Sequence, residues 1–440
     1  MASREPLTRY QRFVVFAAWL GLGFDLMDSM LFNFVSPLAI PNLLHISPQA
    51  PSARAAIGYW TGVLTAVMLF GWATGGILFG RLSDRIGRTR TVVLTMLLFS
   101  LGTLASAFAP NLWVFAALRL LTALGIGGEW AAGATLVAET VPESRRVDLG
   151  AVLFTSAPAG VFLAIFISHV FTREIEAVAR DPSLSWRVVM ACGALPAFVA
   201  LLLRRKLREP ESFARVEAPA RGHIGALFSP ELRRRTVGGL MVATVALLTF
   251  WVSSAFLPMI ATFLADEAMP HATAKELAQH RAAFVTRAMM SFNIGGLIGS
   301  LLAAPLAERF GRRPLFFAYF AFSVVALLVT FVPAWAPSTR ILLVGLVSVS
   351  AYGVFAAFQF YLPELFPPHL RGTGAGFCLN AGRYLTVLGP LVVAWVARGG
   401  ASVLHVMGFL ALVPLAGLVL LLFGVGVETR GDRLPTGAEL

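Results

Sequence analysis

Charge is scarce in this 440-residue chain: Asp, Glu, Lys and Arg make up only 13% of it, about half the ~25% of an average soluble domain. So few charges cannot cover the surface of a water-soluble protein of this length. That excludes the two- or three-domain soluble layout that length alone suggests. Cysteine is scarcer still. Cys192 and Cys378 lie far apart in apolar stretches, which gives neither a disulfide framework nor a metal-ligand spacing. No Gly-x-x-x-x-Gly-Lys-Ser/Thr run occurs, so nucleotide-driven pumping is excluded; Gly295, Gly296 and Gly299 follow no strand and read as helix packing. Acids are outnumbered, 23 against 35 bases, for a net charge of +12. Such an excess can mark nucleic-acid binding, but here it borders long apolar runs, as in the loops of a polytopic membrane protein. No nucleic-acid partner and no cofactor is expected.

What abounds is apolar, 57% of the chain. Runs long enough to span a bilayer, about 20 residues, fall near 13–38, 58–80, 91–109, 112–139, 149–171 and 186–204, then 236–264, 282–306, 315–334, 339–362, 372–397 and 402–425. The first run is too long for a signal-peptide core and is expected to be retained. The longest polar stretch divides the chain into an N-terminal six-helix half (1–204), a central loop (205–235) and a C-terminal six-helix half (236–440). The side shared by the termini and that loop holds 24 of the 35 lysines and arginines; the opposite side holds nine, and Arg119 and Arg383 lie within spans. The positive-inside rule places both termini in the cytoplasm.

The halves repeat. Gly80-Arg-Leu-Ser-Asp84-Arg-Ile-Gly87-Arg88 follows the second span and Ala304-Pro-Leu-Ala-Glu308-Arg-Phe-Gly311-Arg312 the eighth, offset by 224 residues. Glu139-Thr-Val-Pro142-Glu-Ser-Arg-Arg146 ends the fourth span and Glu364-Leu-Phe-Pro367-Pro-His-Leu-Arg371 the tenth, offset by 225. Matched motifs in two parallel halves are the mark of transporters that rock about a midplane site. The layout and the Gly-x-x-x-Asp-Arg-x-Gly-Arg loop resemble the major facilitator superfamily. Arg119-Leu-Leu-Thr-Ala-Leu-Gly-Ile-Gly-Gly-Glu129-Trp130 and Arg371-Gly-Thr-Gly-Ala-Gly-Phe-Cys-Leu-Asn380-Ala-Gly-Arg383 look like its sialate, lactate and aromatic-acid proton symporters. Phe24-Asp25-Leu-Met-Asp28 is close to the aromatic-acid pattern without matching it, and a similar run occurs in niacin-type carriers. The helix 7 signature of yeast lactate carriers is absent from 236–264. The resemblance implies an all-α membrane protein with twelve transmembrane helices in two pseudo-symmetric halves, the major facilitator fold. It implies a bacterial inner-membrane location and a lipid-embedded chain that works as a monomer.

Asp84 sits at the C-terminal end of its helix, where the dipole disfavours an anion, so neighbouring arginines or another helix N-terminus must offset it. The resemblance implies the start of helix 11, near Gly372, and symmetrically the start of helix 5, near Leu149, for Glu308. Asp84, Arg88, Glu139, Arg146, Glu308, Arg312, Glu364 and Arg371 are therefore the candidate gate residues.

An ionisable group at mid-bilayer costs about 2.5–3.5 kcal/mol and is a functional candidate by default. Asp25 lies ~18 Å into the first span at 1.5 Å per residue, with Asp28 one turn on. Two acids that close resist double ionisation, so the pair is expected to hold a proton; the alternatives are a structural ion pair with Arg119 or Arg383, or one Asp facing a water-filled vestibule. Arg119 and Glu129 are ~15 Å apart along one helix and need partners elsewhere. The resemblance associates the arginine with proton transfer and Glu129-Trp130 with the cavity wall. Asp25, Asp28, Glu129 and Arg119 are thus the proton-coupling candidates. Arg383 lies mid-membrane, always charged, with a fork that fits a carboxylate; Asn380 is one turn earlier. With Asn33, Trp130 and Gln359 they form the expected substrate site, and Trp251, Asn293 and Tyr361 are further polar or aromatic neighbours. Glycines 125, 127, 128 and 133 read as packing. The expectation is secondary active, proton-coupled symport of a small organic anion. The alternatives are proton-coupled sugar or polyol uptake, cation or drug efflux, and a non-transporting sensor, for which neither terminus is long enough to hold a regulatory domain.

Overall fold

The computed structural model describes residues 5–47, 51–214, 222–271, 273–388 and 403–431. The N-terminal half holds α1 (Arg9–Leu43), α2 (Pro51–Ile86), α3 (Arg88–Ser106), α4 (Leu112–Thr140), α5 (Glu143–Thr172) and α6 (Pro182–Leu203). The C-terminal half holds α7 (Arg233–Ala268), α8 (Ala274–Phe310), α9 (Arg312–Phe331), α10 (Pro337–Glu364), α11 (Arg371–Ala381, resuming as Arg383–Thr386) and α12 (Leu404–Leu422). Among the described residues, eleven helical segments are long and apolar enough to cross a membrane. The remainder of the expected eleventh span and the first residue of the twelfth, 389–402, lie outside the described residues. Phe16, Phe166, Phe198, Leu342 and Leu422 stay exposed, an apolar exterior suited to lipid rather than water.

Local chemistry sets the helix starts. Thr8 and Gln11 form a capping box on α1, Asn111 Oδ1 accepts from the Trp113 and Val114 N–H groups on α4, and Thr273 with Glu276 caps α8. Each satisfies N–H groups that the helix itself leaves unbonded. α2 and α8 run through the repeated motif and end only at Gly87 and Gly311, further than the apolar runs alone reach. These two residues have φ of 111° and 101°, open to glycine at little cost, so the chain reverses within one residue.

The repeat extends to packing. Gly71 and Gly75 of α2 abut Leu120 and Leu124 of α4; Gly295 and Gly299 of α8 abut Gly345 and Val349 of α10. The four pairs keep the same 224- and 225-residue offsets. Small residues there let the backbones touch. Gly125, Gly127 and Gly128 pack on Phe99, Trp72 and Phe79, as the packing reading expects.

The halves meet where α2 lies along α11 and where α5 lies against α8 and α10. Both described terminal segments pack on one end of the bundle: Gln11 donates to Thr140 O, and Val427 N–H donates to Tyr361 Oη. This end carries the repeated motifs and is called the arginine-rich face below. Tyr361 belongs here, against Phe316, and not to the central site.

A candidate gate and a candidate substrate and proton site

At the arginine-rich face, Asp84 is fully buried. It accepts from Gly372 N (3.1 Å), Thr373 N (2.7 Å) and Thr373 Oγ1 (2.6 Å), the first turn of α11. The positive end of one helix thus offsets the unfavourable end of another. Arg88 pairs with Asp84 at 3.1 Å and with Glu139 at 3.1 Å, and donates to Pro368 O. Arg371 Nη1 reaches Glu139 Oε1 at 2.8 Å from the other half. These buried contacts clamp the halves together at this end. The neighbouring loop carries His369, whose imidazole is pushed below its ordinary value by burial and by the Arg371 guanidinium.

The second copy repeats part of this arrangement: Arg312 pairs with Glu364 (2.7 Å) as Arg88 pairs with Glu139, each within its own half. Glu308 is half-buried where Asp84 is buried. Arg146 Nε donates to Ala138 O within its own half, the counterpart of Arg371 Nε donating to Pro363 O. Two carboxylates outside the expected set complete each copy. Glu209 accepts from Thr89 and Arg90 N–H at the start of α3, and Glu428 from Arg312 and Arg313 N–H at the start of α9. Each is an acid just past a half's last apolar run, a position where capping was legible in the sequence.

Halfway through the bundle, the ionisable groups sort into partners. Arg119 Nη1 binds Asp28 Oδ2 at 3.1 Å and Thr103 Oγ1 at 3.2 Å, beneath the Phe32 ring. The carboxyls of Asp25 and Glu129 lie within hydrogen-bonding reach of each other. Asp25 Oδ1 and Oδ2 and Glu129 Oε1 are buried and, among the described residues, accept from no donor. Glu129 fits against Gly21 of α1, where a Cβ would collide with its carboxyl. Two facing carboxylates in low dielectric cannot both stay ionised, so this pair is a place to hold one proton. Asp28 makes the ion pair with Arg119, the alternative to a shared proton with Asp25, while Asp25 faces Glu129: a one-turn separation leaves each acid free to find its own partner on α4.

Arg383 is buried, with its guanidinium carbon 4.1 Å from the centre of the Trp72 ring and 6.0 Å from that of Trp251. The two indoles meet edge to face at 5.6 Å. Among the described residues, Arg383 Nε and Nη1 have no hydrogen-bond partner, and Asp25 acts on it through charge. Trp130 Nε1, Trp251 Nε1 and Gln359 Nε2 are likewise buried donors without acceptors. A small cavity lined by Glu129, Trp130, Gly133 and Gln359 opens beside the acid pair. Asn380 bonds Gly376 O of its own helix, leaves Oδ1 unpartnered, and presses on Gly76 across the interface. Asn293 also leaves Oδ1 unpartnered.

Asn33, expected at the substrate site, is exposed, its Nδ2 3.7 Å from Met30 Sδ, and the structure does not bring it to the buried set. Its position on α1 turns it away from the face that carries Asp25 and Asp28. Trp72 was not among the expected residues. The signal for it was its place one turn before Gly76, on the face of α2 that meets α11.

The Major Facilitator Superfamily family model matches residues 18–274, more than half the chain, and the Sugar (and other) transporter model matches residues 239–421. The chain is 29% identical to a probable 4-methylmuconolactone transporter of Cupriavidus pinatubonensis, covering 98% of this chain and 93% of that one. It is 27% identical to a gallate transporter of Pseudomonas putida (94% and 90% covered), and 27% to a putative niacin/nicotinamide transporter of Bacillus subtilis (99% and 100%). Its fold is similar to that of the proton:xylose symporter XylE of E. coli, with TM-score 0.75 at 17% identity over 97% of this chain and 98% of that chain. The chain belongs to the Major Facilitator Superfamily and is an integral membrane transporter, not an enzyme.

Proposed function

We propose that the protein is a proton-coupled symporter of a small organic anion, an aromatic or heterocyclic monocarboxylate, working by alternating access. One observation carries this reading: the buried donors with no acceptor, Arg383 Nε and Nη1, Trp130 Nε1, Trp251 Nε1 and Gln359 Nε2. A buried guanidinium with unmet N–H donors suits a carboxylate, an acceptor-only anion. Relatives named for gallate, niacin and muconolactone support the substrate class. A neutral sugar would leave Arg383 without a counter-charge, and a cation would meet its repulsion.

In this reading the arginine-rich face is cytoplasmic. From outside, a proton enters the Asp25–Glu129 pair, weakening the hold of Asp25 on Arg383, and the substrate carboxylate takes its place. Asp28–Arg119 supplies a second pair that can exchange partners as α1 and α4 move. With the charges neutralised, the halves 1–204 and 236–440 rock, and the Asp84 and Glu139 clamps open. One chain holds every group, so a monomer is the transport unit.

The test is uptake of labelled carboxylates and sugars into vesicles under an imposed pH gradient, with an ionophore control. Carboxylate accumulation that collapses with the gradient is the expected result. Accumulation that survives its loss removes proton coupling, and uptake of sugars alone removes the anion. One proton with one monocarboxylate is electroneutral; a second proton would add ~2.3 kcal/mol per 100 mV.

A further inference from the structure

We infer that the cavity beside Glu129 seats a single water that passes the proton from the Asp25–Glu129 pair towards the arginine-rich face, and that Gln359 of the C-terminal half positions this water. The inference rests on the proposed proton coupling at that pair.

The cavity has a volume of about 10 Å³, the size that seats one water and no substrate. A buried water is held where it meets polar groups that lack other partners. Glu129 and Gln359 both line the cavity, and among the described residues Glu129 Oε1 and Gln359 Nε2 are buried without a hydrogen-bond partner. Ala18, Leu22, Ala134 and Leu153 add only apolar walls. Gln359 Nε2 carries two hydrogens, so one can hold the water while the other stays available to substrate.

Gly133 makes the space. A Cβ on Gly125, Gly127 or Gly128 would come within 2.8, 2.0 and 2.3 Å of Phe99, Trp72 and Phe79, so those glycines serve helix crossings. A Cβ on Gly133 would instead have the Glu129 carboxyl as its nearest neighbour, 3.4 Å from Oε1 and 4.0 Å from Oε2. That is ordinary contact distance, with no crossing helix in the way. This glycine, which the sequence pattern groups with the packing ones, leaves room beside an acid.

The cavity also lies to one side of the acid pair. Ala18 and Leu22 precede Asp25 on α1, and Gly133 and Ala134 follow Glu129 on α4. Both directions lead to the arginine-rich face, where Gln11 meets Thr140; Ala134 is ~9 Å from Thr140 along the helix at 1.5 Å per residue. Gln359 Nε2 donates to the water oxygen and leaves a lone pair facing the acid. When the clamps part and solvent reaches the site, the Glu129 O–H bond breaks and its proton joins that oxygen. One of the water's own protons passes to a solvent water, which leaves a Glu129 carboxylate, a hydrated proton in the solvent and the held water restored. Glu129 belongs to α4 and Gln359 to α10, so the water is held from both halves and the relay is tied to their movement.

The experiment compares Gly133→Ala and Gly133→Ser with the wild-type protein in vesicles. It measures uptake of a labelled aromatic carboxylate under an imposed pH gradient, and exchange of labelled for unlabelled acid, which needs no proton release. The added methyl takes the place of the water; the serine hydroxyl also fills the space but can donate and accept as the water does. Both residues are better helix formers than glycine, so folding is preserved. Gly133→Ala should slow gradient-driven uptake about tenfold, the scale of one lost hydrogen bond to a charged group, with KM and exchange near wild type. Gly133→Ser should recover most of the rate. Unaltered uptake in Gly133→Ala overturns the inference. So does equal slowing in the two variants, or a loss of exchange in proportion to uptake, since either makes Gly133 a packing residue. If wild-type carboxylate uptake ignores the pH gradient, the proposed proton coupling fails first and the relay with it.

Discussion

Asp25, Asp28, Arg119 and Glu129 lie buried in the N-terminal half. Displaced by the 225-residue repeat, the equivalent positions are Phe250, Ser253, Val344 and Val354, and Arg383 has Pro158 as its counterpart. The helix crossings are copied between halves; the charges are not. The titratable acids are in one half and the fixed cation with Gln359 and Asn380 in the other. At the gate, Asp84 and Glu139 reach across to Gly372, Thr373 and Arg371, and both motifs hold an Arg–Glu pair within their own half, Arg88–Glu139 and Arg312–Glu364. In the proposed reading, a duplicated scaffold provides the hinge, while the buried acids of the centre come from one half and Arg383 from the other.

Substitutions can test that division. The largest effect is expected in the C-terminal half: Arg383→Gln should lower carboxylate kcat/KM by about 100-fold or more, the scale of removing one partner from a buried charge pair. It should abolish both gradient-driven uptake and substrate exchange. Glu129→Gln, in the N-terminal half, should abolish accumulation driven by a pH gradient but leave exchange of labelled for unlabelled substrate. Loss of exchange in Glu129→Gln would show that the acids also bind substrate and erase the distinction.

Asp28→Asn leaves Arg119 buried without its counter-ion, a change worth about 3–5 kcal/mol in buried pairs. A clear fall in the melting temperature of the purified protein is expected, with Asp28→Asn/Arg119→Leu recovering most of it but not proton coupling. At the gate, Asp84→Asn exchanges charge-assisted bonds for neutral ones and should slow uptake about tenfold, with increased labelling of cysteines placed on the arginine-rich face. Glu308→Gln, at a half-buried site, should stay within about twofold. Equal effects at Asp84 and Glu308 would show the two gates to be equivalent. The smallest change is expected for exposed Asn33→Ala, which should leave uptake unaltered.

Much of the scaffold was readable from the sequence because bilayer thickness fixes helix length and because a repeat with constant offsets declares itself by subtraction. The Asp84 contact at the start of α11 was legible from the helix dipole together with the family resemblance. Pairing in the centre was not. Asp25 and Asp28 sit one turn apart, which sets a common face but not which residue of α4 each one meets; Glu129 and Arg119 divided them. Trp72 escaped because a tryptophan in a span has many uses, and only the position of Arg383 on another helix gives this one a role. Asn33 failed for the converse reason, since polarity within a span does not say which way a side chain turns.

The central claim is that Arg383 receives a carboxylate, and the most direct measurement is binding of an aromatic acid and its uncharged amide to purified wild-type and Arg383→Gln protein. The wild-type protein should bind the acid about 100-fold more tightly than the amide, and the variant should bind the two alike. An Arg383→Gln protein that still prefers the acid by the wild-type margin would contradict it.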